Sequence, residues 1–291
     1  MLAGEGERSR KKRSRKKKNQ MARIVVCKVG GSIVDGIHPT FVDDLKRLRS
    51  QGVKVVLVHG GADQVTEIAE KLGKKQRFIK SPEGITSRYT DKETAEIFTM
   101  VMSGLVAKRF VQDLGKNGID AVSLSGIDAR TLLADRKSKL LIVDDRGRKL
   151  AIDGGYTGKI TSVNTGFVNL ILESSMIPVV SPIALGREWE LLNVDGDRAC
   201  SHIAGAMAAE FAVFLTDVEG VILNNEVVRE LSVEEARKTL KLVGAGMDKK
   251  LLAAAEAVEM GARSAVISSG LVNNPLQNAL AGRGTLIKRS A

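Results

Sequence analysis

The sequence predicts an α/β protein: a three-layer αβα sandwich with a mainly parallel central sheet. Two observations carry this reading. Strand-type and helix-type segments alternate from Ile24 to the final residues, which is the pattern of a sheet covered by helices on both faces. The first strand-type runs are short and mostly apolar, as expected of parallel strands buried on both sides.

The elements follow in order. Ile24–Val29 (IVVCKV) is a strand ending in Gly30-Gly31. Phe41, Leu45 and Leu48 recur at helical spacing and predict a helix over residues 40–51. Residues 53–58 (VKVVLV) are a second strand, ending in His59-Gly60-Gly61, and residues 64–72 are helical. Residues 73–90 are polar and carry Gly and Ser, which predicts a mobile loop. A long helical stretch spans 91–117, with Thr90 or Asp91 as its cap. Residues 121–124 are a strand. Residues 140–143 and 149–152 flank DDRGR, a hairpin signal. Residues 164–174 are helical, and 177–180 form a strand marked by Pro178 and Pro182. A small-residue helix covers 196–209. The strand Phe211–Thr216 runs into DVEG. A helix at 247–260, a strand at 265–268, a helix at 274–281 and a strand at 285–287 complete the chain.

The chain has 291 residues and a formal net charge of +11. Nine Lys/Arg against two Glu fall within residues 1–20. That segment has almost no apolar residue and is expected to be a disordered tail. It lacks the apolar stretch of a secretory signal. Its basicity is compatible with polyanion binding, and Met21 is an alternative start. The rest of the chain is close to balanced in charge. No apolar run is long enough to span a membrane. Two cysteines, Cys27 and Cys200, make no disulfide framework and point to the cytoplasm. Both read as core residues, and Trp189 as a loop anchor.

Ligands in parallel sheets bind beyond the carboxyl ends of the strands. Two successive strand ends here give Lys28-Val29-Gly30-Gly31-Ser32 and His59-Gly60-Gly61. Paired glycines expose backbone N–H groups to an anion, and a following helix adds its positive end. The alternative is a pair of tight strand–helix turns. Neither GxxxxGK[ST] nor a GxGxxG after the first strand is present. Three more stretches stand out. Arg88, just before the long helix, has a fork that suits a carboxylate. Asn193-Val194-Asp195-Gly196-Asp197 precedes a helix, and Gly246-Met247-Asp248-Lys249-Lys250 opens another. Each alone also fits a cap, a loop or a solvated charge.

Taken together and in this order, KxGGS (28–32), HGG (59–61), the TD segment after Arg88, NxDxD (193–197), TDVxG (216–220) and GMxxK (246–250) resemble the amino acid kinase family. Within it, SRYTDKETAEIFTMVMSGLVAKR (87–109), LSGIDAR (124–130), RKSK (136–139) and DGGYTGKI (153–160) are most similar to the kinases that act on an amino acid carried by the LysW protein. The resemblance implies two lobes, an N-lobe of about 21–180 on the substrate side and a C-lobe of about 181–291 on the nucleotide side. It implies that Lys28 and Lys250 neutralise a transferring phosphoryl group from opposite sides and that Asp197 holds both. Gly60 and Gly61 would donate N–H bonds, Arg88 would grip the substrate α-carboxylate, and Asn193 would meet its amide. Gly30, Gly31, Thr216, Asp217, Val218, Gly220, Gly246 and Met247 would lie on the nucleotide. His59 is matched only as the residue before the glycines.

The chemistry implied is ATP-dependent phosphorylation of the side-chain carboxylate of LysW-carried 2-aminoadipate or glutamate, in lysine and arginine biosynthesis. Such an acceptor, with a pKa near ~4, is already ionised at pH 7, so no catalytic His or Cys is required. Positioning and charge neutralisation suffice. Mg²⁺ would arrive on the ATP phosphates. A LysW carrier would be acidic, which points to Lys74, Lys75, Arg77, Lys80, Arg88, Arg136, Lys137 and Lys139 as a basic rim. The resemblance also implies a homodimer. The alternatives are an N-acetylglutamate kinase acting on the free acid, another branch such as aspartate or uridylate kinase, and a nucleic-acid-binding protein working through its tail.

Overall fold

The computed structural model of the protein describes residues 23–31, 38–82, 84 and 86–290. The basic segment 1–20, Met21 and Ser32 lie outside them. The chain runs through β1 (Ile24–Val29), α1 (Pro39–Ser50), β2 (Lys54–His59), α2 (Ala62–Lys71), β3 (Phe78–Lys80), β4 (Thr86–Arg88) and α3 (Lys92–Thr99). A π-helical segment, Met100–Val106, carries α3 without a break into α4 (Ala107–Lys116). There follow β5 (Ala121–Ser125), β6 (Leu132–Arg136), β7 (Lys139–Val143), β8 (Lys149–Asp153), β9 (Gly158–Val163), α5 (Thr165–Glu173), β10 (Ile177–Ser181), β11 (Ile183–Leu185) and β12 (Leu191–Asn193). The last part holds α6 (Gly196–Ala206), β13 (Phe211–Thr216), β14 (Ile222–Leu223), β15 (Glu226–Val227), β16 (Glu230–Ser232), α7 (Val233–Thr239), α8 (Met247–Glu259), β17 (Ser264–Ser269), α9 (Pro275–Leu280) and β18 (Thr285–Lys288).

Eight strands form one sheet in the order β16-β18-β17-β13-β1-β2-β10-β5. Its pairings are parallel except that of β17 with β18. Two four-stranded sheets, β12-β11-β6-β9 and β4-β3-β7-β8, accompany it.

Strand periodicity decides which side chains face which layer. Val25, Cys27 and Val29 of β1 pack in one core with Phe41, Leu45 and Leu48 of α1. Val26 packs in the other core with Ala199 and Ile203 of α6 and Ala254 of α8. Val56 and Val58 of β2, and Ala212 and Phe214 of β13, share the side of Val26. Lys28 has the same parity, so the sequence of β1 alone directs its ammonium toward α6 and α8.

Helices α6 and α8 approach closely because small residues line their contact, among them Ala204, Ala253 and Ala257, all fully buried. Ser201 Oγ lies 2.6 Å from Ala253 O and 2.9 Å from its own helix at Asp197 O. That hydroxyl ties the turn carrying Asp197 to the helix carrying Lys250.

Residues 73–90 correct the sequence reading. They do not form a loop throughout: β3 and β4 pair antiparallel, and β3 also pairs with β7. Trp189 is no loop anchor either, since 71% of it is exposed. The hairpin signal at DDRGR is met by β7 and β8, paired from Lys139–Asp153 to Val143–Lys149. Asp91 is the cap of α3 and accepts from Thr94 N at 2.8 Å. Cys27 and Cys200 are both fully buried.

Candidate active site

The carboxyl ends of β1 and β2 meet at their glycines. A Cβ on Gly31 would stand 2.8 Å from Gly61 N, and one on Gly60 only 2.7 Å from Gly31 N. Any side chain here would push the two turns apart, so the close approach explains why both motifs carry glycine. Beyond them opens a cavity of about 1060 Å³, lined by Gly30, Gly31, Gly60 and Gly61 among others.

On its floor lies a buried charge cluster. Lys28 Nζ is 2.9 Å from Asp197 Oδ1, and Lys250 Nζ is 3.5 Å from Asp197 Oδ2. The Lys28 and Asp197 side chains are 10% and 7% exposed. Three local features place the cluster. Lys28 comes from the parity of β1. Asp197 sits in the first turn of α6, where the Asp195 carboxylate accepts from Asp197 N at 2.9 Å and Arg198 N at 3.0 Å. Lys250 sits in the first turn of α8, whose cap Gly246 has φ +91°, a conformation glycine adopts without strain. Burial disfavours the Asp197 charge, but the fields of Lys28 and Lys250 outweigh it and hold the carboxyl below the usual range. Burial also opposes the Lys28 charge, and Asp197, with help from Asp195, raises the ammonium above its ordinary value. Lys28 and Asp197 therefore stay charged at neutral pH, with Lys250 Nζ beside the same carboxylate.

The other expected residues are distributed as follows. Arg88 lines the cavity; its fork donates to Ala62 O and Thr66 Oγ1, each at 2.8 Å, and to Gln76 Oε1. Its carbon lies 5.1 Å from the centre of the Phe78 ring. Asn193 also lines the cavity and donates from Nδ2 to Thr90 Oγ1 at 3.0 Å. Thr216 and Asp217 line it, joined by a 2.9 Å hydroxyl–carboxylate bond. Val218, Gly220, Gly246 and Met247 are not among the lining residues. Gly220 is packed against Thr285, and Met247 against the core around α6 and α8.

The basic rim is thinner than the sequence suggests. Lys74 is paired with Asp91 at 2.8 Å and Glu93 at 2.7 Å. Arg77 stacks on Tyr89, and Arg136 stacks on Tyr156 and donates to Gly155 O at 2.6 Å. Only Arg88 and Lys137 of the expected rim line the cavity. Lys159, Arg198, His202 and Lys249 line it too and were not singled out for it. Lys159 lies in DGGYTGKI, and Arg198 directly follows NxDxD, so adjacency to a recognised motif was the available signal. Burial, Arg198 and Lys159 all lower the Lys137 pKa, with Asp195 opposing them. This corner of the cavity gathers Lys137, Lys159 and Arg198, the last paired with Glu256 at 2.8 Å.

Of the glycine amides beside the cluster, that of Gly60 already donates to Val29 O at 2.9 Å. A deeply buried carboxylate shared by two lysines is an arrangement that can neutralise an anionic group without acid–base chemistry. Residues 23–269 match the amino acid kinase family. The chain belongs to the amino acid kinase family. It is 51% identical over 258 residues to the putative [LysW]-aminoadipate/[LysW]-glutamate kinase of Nitrosopumilus maritimus, covering 88% of this chain and 96% of that protein. It is 43% identical over 266 residues to the [LysW]-aminoadipate/[LysW]-glutamate kinase of Sulfolobus acidocaldarius, covering 91% of this chain and 100% of that one. Among solved structures, carbamate kinase from Giardia lamblia bound to AMP-PNP shares the fold, with a TM-score of 0.66 at 15% identity over 92% of this chain and 99% of that one. The three-layer α/β architecture expected from the sequence is the architecture of this family.

Proposed function

We propose that the protein transfers the γ-phosphoryl group of ATP to the side-chain carboxylate of 2-aminoadipate, glutamate or both, held on the acidic carrier LysW, giving an acyl phosphate for lysine and also arginine biosynthesis. The observation that carries this reading is the Lys28–Asp197–Lys250 cluster opening beside four glycines into one cavity. The named relatives support the choice of acceptor.

ATP supplies the transferable phosphoryl group, and Mg²⁺ shields its charge. The residues present fit such an anionic ligand: Lys28, Lys137, Lys159, Lys249 and Lys250 all line the cavity of about 1060 Å³. Mg²⁺ would be carried mainly by phosphate and water ligands. Lys28 and Lys250 flank the transferring group and take up charge on its equatorial oxygens. Asp197 holds the two lysine amino groups in place. The Gly61 amide holds a phosphate or carboxylate oxygen; the Gly60 amide donates to Val29 O at 2.9 Å and stays out of that role. Arg88 and Asn193 orient the acceptor through its α-carboxylate and amide. Gly30, Gly31, Thr216 and Asp217 lie along the nucleotide; Val218, Gly220, Gly246 and Met247 act behind them by shaping the two turns.

The two lobes divide near residue 180. In the central sheet β5, β10, β2 and β1 stand together on one side and β13, β17, β18 and β16 on the other, which supports a substrate half and a nucleotide half. No helix among the described residues is long and apolar enough to cross a membrane; we place the protein in the cytoplasm and as a homodimer. Lys137, Lys159 and Arg198 form the anionic-carrier side of the cavity mouth.

The direct test is the pair Lys28→Ala and Lys250→Ala. Each is expected to lower turnover by about 10²–10³, as for loss of one transition-state donor, with melting unchanged. Near-normal activity in both would refute the assignment.

A further inference from the structure

His59 is a buried titratable group for which the reading above has no use. It ends β2, directly before the glycine pair, and none of its surface is exposed. Its Nδ1 lies 2.9 Å from Gly60 O, and its Nε2 lies 2.8 Å from Ser181 Oγ at the end of β10. Ser181 Oγ is also 3.4 Å from Met102 O, within the π-helical segment. Burial lowers the ring to a pKa of about 4, against an opposing bond to the Gly60 carbonyl and with further lowering by Lys28, so at neutral pH the ring carries one proton. A carbonyl oxygen only accepts. The proton therefore sits on Nδ1 and is donated to Gly60, and Nε2 accepts from the Ser181 hydroxyl. The other tautomer would set two lone pairs against each other at Gly60.

Gly60 O and Gly61 N are the two ends of one peptide group. A bond that fixes the oxygen fixes the direction of the Gly61 N–H. With glycine on both sides this peptide has no side chain to restrain it. The bond also polarises the peptide and strengthens its N–H as a donor. We propose that His59 is a positioning residue: through its bond to the Gly60 carbonyl it holds the Gly61 N–H pointed at the transferring group. This rests on the carboxylate-kinase reading of the cavity.

The test exploits the two ring nitrogens. In His59→Asn the side-chain amide nitrogen stands near the place of Nδ1; in His59→Gln it stands near that of Nε2. His59→Asn is expected to keep kcat within about threefold, and His59→Gln to lose about 10²-fold in kcat with KM for ATP unchanged, the signature of an interaction made in the transition state. Both should melt alike. Equal losses in the two variants, or losses that track melting temperature, would overturn the proposal. Should either variant fail to fold, ¹⁵N NMR of the wild-type imidazole at pH 7 decides it: a proton on Nδ1 is expected, and one on Nε2 refutes it. Wild-type and Lys28→Ala activities measured alongside separate the two ideas. If the wild type is inactive or Lys28→Ala is not impaired, the kinase reading fails, while the tautomer measurement still judges His59.

Discussion

At the scale of single residues, the account rests on charges that were legible in the sequence as types but not as a cluster. Lys28, Asp197 and Lys250 come from three distant motifs, and only the parity of β1 and the first turns of α6 and α8 bring them within 3.5 Å. Each lysine variant leaves Asp197 with one ammonium partner, which avoids the several-kcal/mol penalty of a buried unpaired charge and is why folding is expected to survive. His59 gives a separate prediction in pH. Its folded pKa of about 4 lies below the unfolded ~6.5, so its contribution to stability is complete above pH ~6.5 and declines as pH falls toward 4. Urea unfolding at pH 7 and pH 4.5 should differ by about 2–3 kcal/mol more in the wild type than in His59→Asn. An identical pH dependence in the two proteins would contradict the assignment of a buried neutral ring. Arg88 was foreseen as a carboxylate clamp; its present bonds to Ala62, Thr66 and Gln76 were not, because they depend on how β4 folds back over α2.

At the scale of elements, the strands of the central sheet and the long helices were readable because each is a long run with one clear period. The shorter elements were not. β6 and β9 mix polar and apolar residues and cover the α6 side of the fold, so their pairing is decided by what they pack on. The loop expected over 73–90 is a hairpin for the same reason: three-residue strands carry little local signal. Helix α7 did leave a usable one, the capping box of Ser232 and Glu235. The π-helical segment Met100–Val106 has no sequence signature, and the continuous helix was the correct coarse reading. Two element-level predictions follow from geometry. Asp44 is buried and accepts from Leu276 N at 2.9 Å, Gln277 N at 3.1 Å and Asn274 Nδ2 at 3.1 Å, which ties α9 to α1. Asp44→Ala is expected to cost about 1–3 kcal/mol in thermal or urea unfolding while leaving turnover unchanged, since no residue of α9 lines the cavity. Gly60→Ala should lower turnover as well as stability. Its Cβ would sit 2.7 Å from Gly31 N, and a displacement of the order of an ångström at reacting groups costs about 10²-fold in rate.

At the scale of the whole molecule, the net charge of +11 is a poor guide to function. Much of it belongs to residues 1–20, and several rim cations are spent on Asp91, Glu93 or aromatic rings. The charge that bears on a partner is local to the cavity, at Lys137, Lys159 and Arg198. An acidic carrier should therefore bind with a KM that rises with ionic strength, because exposed charges are screened over ~8 Å at physiological salt. A small free acceptor should show a weaker dependence, and steady-state kinetics at two salt concentrations compare them. The central claim is that the acceptor carboxylate comes on the carrier. It is tested by trapping acyl phosphate with hydroxylamine in parallel reactions containing ATP, Mg²⁺ and either LysW-linked aminoadipate, LysW-linked glutamate or free N-acetylglutamate. The account predicts hydroxamate from at least one carrier adduct and little from the free acid. Turnover of the free acid alone, with both adducts inert, would contradict it.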